Sequence, residues 1–217
     1  MENTIKISVL MSVYNTDFLL VKRAIDSVLN QNFQDFELIL TDDGSTNATQ
    51  HLLLDYAIQH EHKITYLRHR NCGQSRSMNR AIMHSKGEYI SMIDADDEYK
   101  PSHLHHCIQA MEYADLIAST TETIVDHYDD YFVPDKYDVK QFIHVDECIL
   151  FATLFGKKEV FTHQQFRDGY AADAHFYEHA SKSFVVKKLD LRTYIYYRNN
   201  PQSICATMKR NSALLMA

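Results

Sequence analysis

Tryptophan is absent from this 217-residue sequence, glycine occurs five times and proline three times. So few chain breakers leave little room for flexible linkers. No GxGxxG loop follows the first hydrophobic run, which argues against a dinucleotide-dependent dehydrogenase. Four cysteines, Cys72, Cys107, Cys148 and Cys205, lie 35, 41 and 57 residues apart, without CxxC or zinc-ribbon spacing. They read as buried free thiols, and nothing in them indicates an oxidising compartment. No apolar run approaches the roughly 18 residues of a membrane span. No basic segment leads into an apolar one at the amino terminus, so no secretory signal is expected. Basic residues are outnumbered, 22 Lys and Arg against 29 Asp and Glu, for a formal charge of −7. That balance disfavours general nucleic-acid binding, which draws its affinity from cations on phosphates. It leaves room for a small phosphorylated ligand held through a metal. Hydrophobic residues at 45% and charged residues at 24% fit an ordinary folded chain of one domain.

What is present is an alternation of patterns. Residues 6–13 (KISVLMSV) are apolar and β-branched and read as a buried strand. Val21, Ala24, Ile25, Val28 and Leu29 follow at helical spacing. Residues 36–40 give a second strand, Leu52, Leu53 and Tyr56 mark a second helix, and residues 64–67 a third strand. Met78, Ala81 and Ile82 line a helix over 75–85, which Gly87 helps to stop. Residues 89–93 form a fourth strand, and Pro101 fits the first turn of a helix with core residues Leu104, Cys107, Ile108 and Met111. Single helices between strands imply βαβ units and a mainly parallel sheet covered on both sides. Beyond about residue 120 the pattern loosens. Residues 121–138 read as a long loop, Asp146 as the cap of a short helix to 155, 172–182 as a helix, and 183–189 and 194–197 as strands.

In such sheets ligands bind beyond the carboxyl ends of the strands. Three of those ends are polar here: Ser12 to Asn15, Asp42 to Ser45, and Asp94 to Asp97. Three carboxylates within four residues repel one another in low dielectric, and a hard divalent cation relieves that repulsion. The plain alternative is a solvated acidic turn. Asp42-Asp43-Gly44-Ser45 is likewise ordinary turn chemistry, yet a carboxylate there can accept hydrogen bonds from a base or ribose. Tyr14 offers a ring face for stacking. Together these features describe a nucleotide cradle.

Five segments in order, SVLMSVYN (8–15), LTDDGST (40–46), NCGQSRSMNRA (71–81), KGEYISMIDADDEYKP (86–101) and YYRNNPQSI (196–204), resemble the motifs of family 2 glycosyltransferases with the GT-A fold. The resemblance is dense over residues 5–115 and thinner over 165–204. It implies one GT-A domain over residues 1–217, with a nucleotide-sugar half (1–115) and an acceptor-side half (116–217). It implies that Ser12, Tyr14 and Asp43, with Asp42 beside them, line the base pocket. Asp94 and Ala95 would face the ribose or sugar, and Asp96, with Asp94, would bind Mn2+ or Mg2+ at the donor's diphosphate. Asp97 would be a neighbour of that site. Arg76 or Arg80 would meet the diphosphate or sugar, although the position of the family's usual arginine, just before the Asn, is Met78 here. Asp173 would be the general base, with Ala172 where the family carries a glutamate and with Glu178 and His175 as substitutes. The resemblance further implies an inverting transfer from a UDP-sugar to a glycan or lipid-linked acceptor in bacterial surface polysaccharide synthesis. Lacking the QxxRW feature of processive synthases, the chain reads as a single-addition enzyme. The expected setting is cytoplasmic with at most peripheral membrane contact, and a homodimer stays open.

Other readings are a nucleotidyltransferase, disfavoured by the missing glycine-rich loop, and an idle nucleotide- or carbohydrate-binding module. His175 and His179 share a helix face at i, i+4 without a third ligand, and His103, His105 and His106 read as surface decoration. Lys187, Lys188 and Arg192 read as a solvated edge able to touch anionic headgroups.

Overall fold

In the computed structural model, which describes residues 5–138 and 140–199, strand and helix alternate through the first half as the pattern requires. Ile7–Val13 forms β1, Phe18–Leu29 α1, Phe36–Asp42 β2, Thr49–Gln59 α2, Ile64–Arg68 β3, Gln74–His84 α3 and Tyr89–Asp94 β4. Successive side chains of β1 point to opposite faces. Val9, Met11 and Val13 enter one core layer with Val21, Ala24, Ile25 and Val28 of α1 and Leu53 of α2. Leu10 enters the other, against Met78, Ala81 and Ile82 of α3. Two buried faces explain why these strands read as unbroken apolar runs.

The chain continues through β5 (Glu98–Tyr99), α4 (His103–Ala110), β6 (Leu116–Ile124), β7 (Phe132–Pro134), β8 (Phe142–His144), β9 (Leu154–Lys157), α5 (Lys158–His163), α6 (Ala172–Ala180) and β10 (Val186–Tyr197). Eight strands form one sheet in the order β3-β2-β1-β4-β9-β6-β10-β5, and β7 and β8 form a separate hairpin. β3, β2, β1 and β4 run parallel, as do β6 and β10, whereas β9 runs antiparallel to both its neighbours and β5 to β10. The register sets Ser12 opposite both Thr41 of β2 and Asp94 of β4. The three polar strand ends therefore share one edge of the sheet.

The second half departs from expectation at several points. The segment read as a loop from residue 121 begins inside β6, whose polar Thr121 pairs with Tyr194 of β10. No helix spans 146–155: two short 3-10 turns precede β9, because Leu154 and Phe155 bury into opposite core layers, which a strand allows. Asp146 caps nothing there; its carboxylate accepts from Arg192 Nη1 and Nη2 at 3.2 and 2.6 Å. The two expected strands over 183–197 are one, bulged between Leu189 and Tyr194, where Arg192 takes φ 50°. His103 is buried rather than surface decoration, its Nδ1 2.8 Å from Thr193 Oγ1 and its ring on Tyr99. His105 and His106 are exposed. Of the cysteines, Cys107 is buried while Cys72 and Cys148 are half-buried, all three as free thiols. Cys205 and residues 200–204 of the last motif lie outside the described residues. Among the described residues no helix is long and apolar enough to cross a membrane.

Candidate active site

At the end of β2 both carboxylates turn inward. Asp42 is fully buried and accepts from the Ser45 N–H at 2.7 Å, the Tyr66 hydroxyl at 2.8 Å and Arg68 Nε at 3.1 Å. It holds the turn together. Asp43, also buried, is wrapped by the loop before α3: it accepts from Cys72 N–H at 2.8 Å, Gly73 N–H at 2.9 Å and Asn71 Nδ2 at 3.0 Å. Gly44 makes this possible. Its φ is +79°, and a Cβ there would sit 2.6 Å from the Asn71 backbone nitrogen. On the β1 side, Asn15 ties the two strand ends, donating its N–H to Ser45 Oγ at 3.0 Å and accepting from Thr46 N–H at 2.8 Å. Tyr14 stands beside it with half its surface in solvent.

The acidic turn after β4 divides into two kinds of carboxylate. Asp97 is buried and accepts from the Tyr194 hydroxyl at 2.7 Å and the Tyr197 N–H at 2.8 Å. Burial, then the charges of Asp94 and Asp96, push its carboxyl well up. The Asp94 carboxylate accepts from Gln74 Nε2 at Oδ1, 2.8 Å away. Burial, followed by the charges of Asp96 and Asp173, pushes Asp94 up to about 7. Ala95 is buried between them, and the Asp96 carbonyl accepts from the Arg23 guanidinium. The donor set of Asp94 and Asp96 is all oxygen. It fits a hard divalent ion completed by phosphate oxygens.

Asp173 enters from the far end of the chain. It lies in the first turn of α6, two residues past the N-cap Ala171, whose φ of 56° is left-handed. Its Oδ1 accepts from the Ala174 N–H at 2.8 Å, and a Phe151 N–H also supports the carboxylate, while burial pushes its pKa up. The N-cap position itself is Ala171, and the Asp173 carboxylate accepts from first-turn N–H groups of α6. The segment that leads into α6 is tied to α3, the helix whose Gln74 donates to Asp94.

One segment holds these parts together, and only part of its role is visible as a motif. Asn71 to Gly73 grip Asp43, and Gln74 donates to Asp94. Ser75 Oγ donates to the Arg167 carbonyl at 3.0 Å, and Asn79 makes a reciprocal pair with Phe166, at 2.8 and 3.0 Å. Arg76 pairs with Asp168 through Nε at 2.9 Å and Nη2 at 2.8 Å. Thus α3 fixes the loop that leads to Asp173. Met78, at the family's arginine position, is fully buried in the core. Gln74, Asn79 and Tyr194 were not singled out from sequence; their signal was polar residues at the solvent turn of an amphipathic helix and a tyrosine inside a strand.

The remaining candidates make other contacts. Glu178 accepts from Lys136 and from Tyr137 Oη on the β7–β8 side, and His175 and His179 are exposed. Lys188 donates to the Asp146 carbonyl and Arg192 pairs with Asp146 and Asp190, so the basic edge is matched by acids.

Comparison with known proteins gives a consistent picture. Residues 8–179 match the model described as Glycosyl transferase family 2. WcaA of Escherichia coli, named as a colanic acid biosynthesis glycosyl transferase, is 38% identical over 125 residues, which are 55% of this chain and 44% of WcaA. TarS 1–349 of S. aureus in complex with UDP-GlcNAc superposes with a TM-score of 0.70 at 18% identity, covering 88% of this chain and 58% of that one. The mannosyltransferase PcManGT of Pyrobaculum calidifontis, in complex with GDP-Man and Mn2+, gives 0.72 at 16% identity, covering 96% and 61%. These two establish the GT-A fold. The matched region spans 34–44% of the length of three curated bacterial relatives.

Proposed function

The chain belongs to glycosyl transferase family 2, and on that premise we propose that it transfers a sugar from a nucleotide-diphosphate sugar, a UDP-sugar, to an acceptor hydroxyl with inversion at the anomeric carbon. The observation that supports this reading is geometric: the polar strand ends share one edge of the sheet, Ser12 lying opposite Asp94, and α3, whose Gln74 donates to Asp94, also holds the 166–168 segment that leads to Asp173. Tyr14 and Asp43, with Ser12, are the base-side residues, and Asp94 faces the sugar. Asp94 and Asp96 would hold a Mn2+ or Mg2+ ion. Such an ion, when bound, supplies Lewis-acid relief of the charge on the departing diphosphate. Arg76 is the cation at the entry to α3, released to a phosphate by exchange with Asp168.

Asp173 takes the acceptor's proton as the hydroxyl attacks the anomeric carbon and the bond to the diphosphate breaks. A carboxylate whose proton affinity is raised by burial suits a general base. Positioning and exclusion of water do the rest. Likeness to WcaA supports an acceptor in bacterial surface polysaccharide synthesis.

The test is release of nucleoside diphosphate from UDP-sugars, with manganese and with EDTA. Slow release that needs manganese supports the transferase. Donor binding without release under both conditions identifies an idle binding module and overturns the proposal.

A further inference from the structure

At the end of β2, two strands from the acidic turn and so about 10 Å away across the sheet, three unlike donor atoms face one another. His69 Nδ1 lies 3.3 Å from Asp43 Oδ1 and 3.6 Å from Cys72 Sγ, and the three ligand atoms fall within 4.8 Å of each other. Zn–N, Zn–O and Zn–S bonds of about 2.0–2.3 Å at tetrahedral angles separate their ligand atoms by about 3.3–3.6 Å. Among the described residues this is the only such grouping of three.

We propose that Asp43, His69 and Cys72 form a site for a borderline-soft divalent cation of the zinc class, distinct from the all-oxygen pair Asp94 and Asp96. The ligands are held in place before any ion arrives. Asp43 Oδ1 accepts one N–H, from Cys72, and keeps a second lone pair. His69 Nε2 lies 3.4 Å from Ser77 Oγ, the kind of outer partner that orients a ligating imidazole. Nδ1 also sits 2.8 Å from the Arg70 carbonyl. The carbonyl or a water supplies the fourth position. Thiolate and imidazole select zinc, cobalt or nickel over the magnesium and manganese favoured by carboxylates alone. His69 and Cys72 are partly exposed, which gives an ion access.

The site does not rest on the donor reading, but its consequence does. If Asp43 serves the nucleobase, a zinc-class ion and the base compete for one carboxylate, and such ions block the donor while manganese supports it.

Cobalt(II) titrated into the full chain reads both points. The proposal expects sulfur-to-cobalt charge-transfer absorption and tetrahedral visible bands that saturate near one equivalent. Both are lost in Cys72→Ser, weakened at least about tenfold in affinity in His69→Gln, and kept in Cys148→Ser. Absence of the charge-transfer band, or its persistence in Cys72→Ser, overturns the site. Uridine, which has no phosphate to chelate cobalt, then bleaches the bands if Asp43 is shared. Bands unmoved by uridine that binds the metal-free chain overturn the competition and leave the site standing. Uridine that binds neither form counts against the donor reading instead.

Discussion

The Tyr194 hydroxyl bridges the acidic turn, donating to Asp97 Oδ2 at 2.7 Å while accepting from the Asp94 N–H at 3.2 Å. It fixes the backbone from which Asp94 projects and satisfies a buried carboxylate. Tyr194→Phe leaves Asp97 short of a donor in a buried place, which costs about 1–3 kcal/mol. Urea unfolding should show that loss, accompanied by a raised donor KM. An unchanged midpoint would mean the bridge is not structural.

Gly44→Ala should be worse than a surface change. The added Cβ meets backbone of the loop around Asn71 at a φ that side chains rarely adopt. The 69–73 loop must shift and loosen its grip on Asp43. Stability should fall by about 1–3 kcal/mol, with weaker nucleotide binding by calorimetry.

Asn79 touches no reacting atom in the proposed mechanism; it positions Asp173 through Phe166. Asn79→Ala should therefore lower kcat by about 10- to 100-fold while leaving donor affinity within about twofold. A change confined to KM would contradict that role.

Buried His103 gives the stability a pH dependence. Burial lowers its pKa from 6.5 to about 3. The unfolded chain then binds the extra proton first, so this contribution is intact above pH 6.5 and is lost progressively as pH falls towards 3. Denaturant titrations at stepped pH should show the loss in the native chain and a reduced slope in His103→Phe.

The first half of the fold was legible because its strands are buried on both faces and its helices carry one apolar stripe. Leu10 and Met11 illustrate the strand case, and Ala24 and Val28 the helix case. The second half was not. β6 runs through Thr120-Thr121-Glu122-Thr123, a polar stretch that becomes strand only because β10 lies beside it. β9 is four residues long and runs antiparallel between two longer strands, a tertiary demand with no local signature. The acidic strand ends were visible as composition at strand boundaries. Which carboxylates turn inward was not: Asp42 and Asp97 are buried struts, and only hydrogen-bond partners from distant segments distinguish them from Asp94. His103 was misread because its burial depends on Tyr99 and Thr193, which helical spacing alone does not reveal.

Asp173→Asn tests the central claim most directly, since it keeps the side chain's size and removes only its capacity to take a proton. With manganese and a bound UDP-sugar, the account predicts that kcat falls by at least about 100-fold while donor affinity stays within about twofold. Turnover equal to that of the unaltered chain would contradict it.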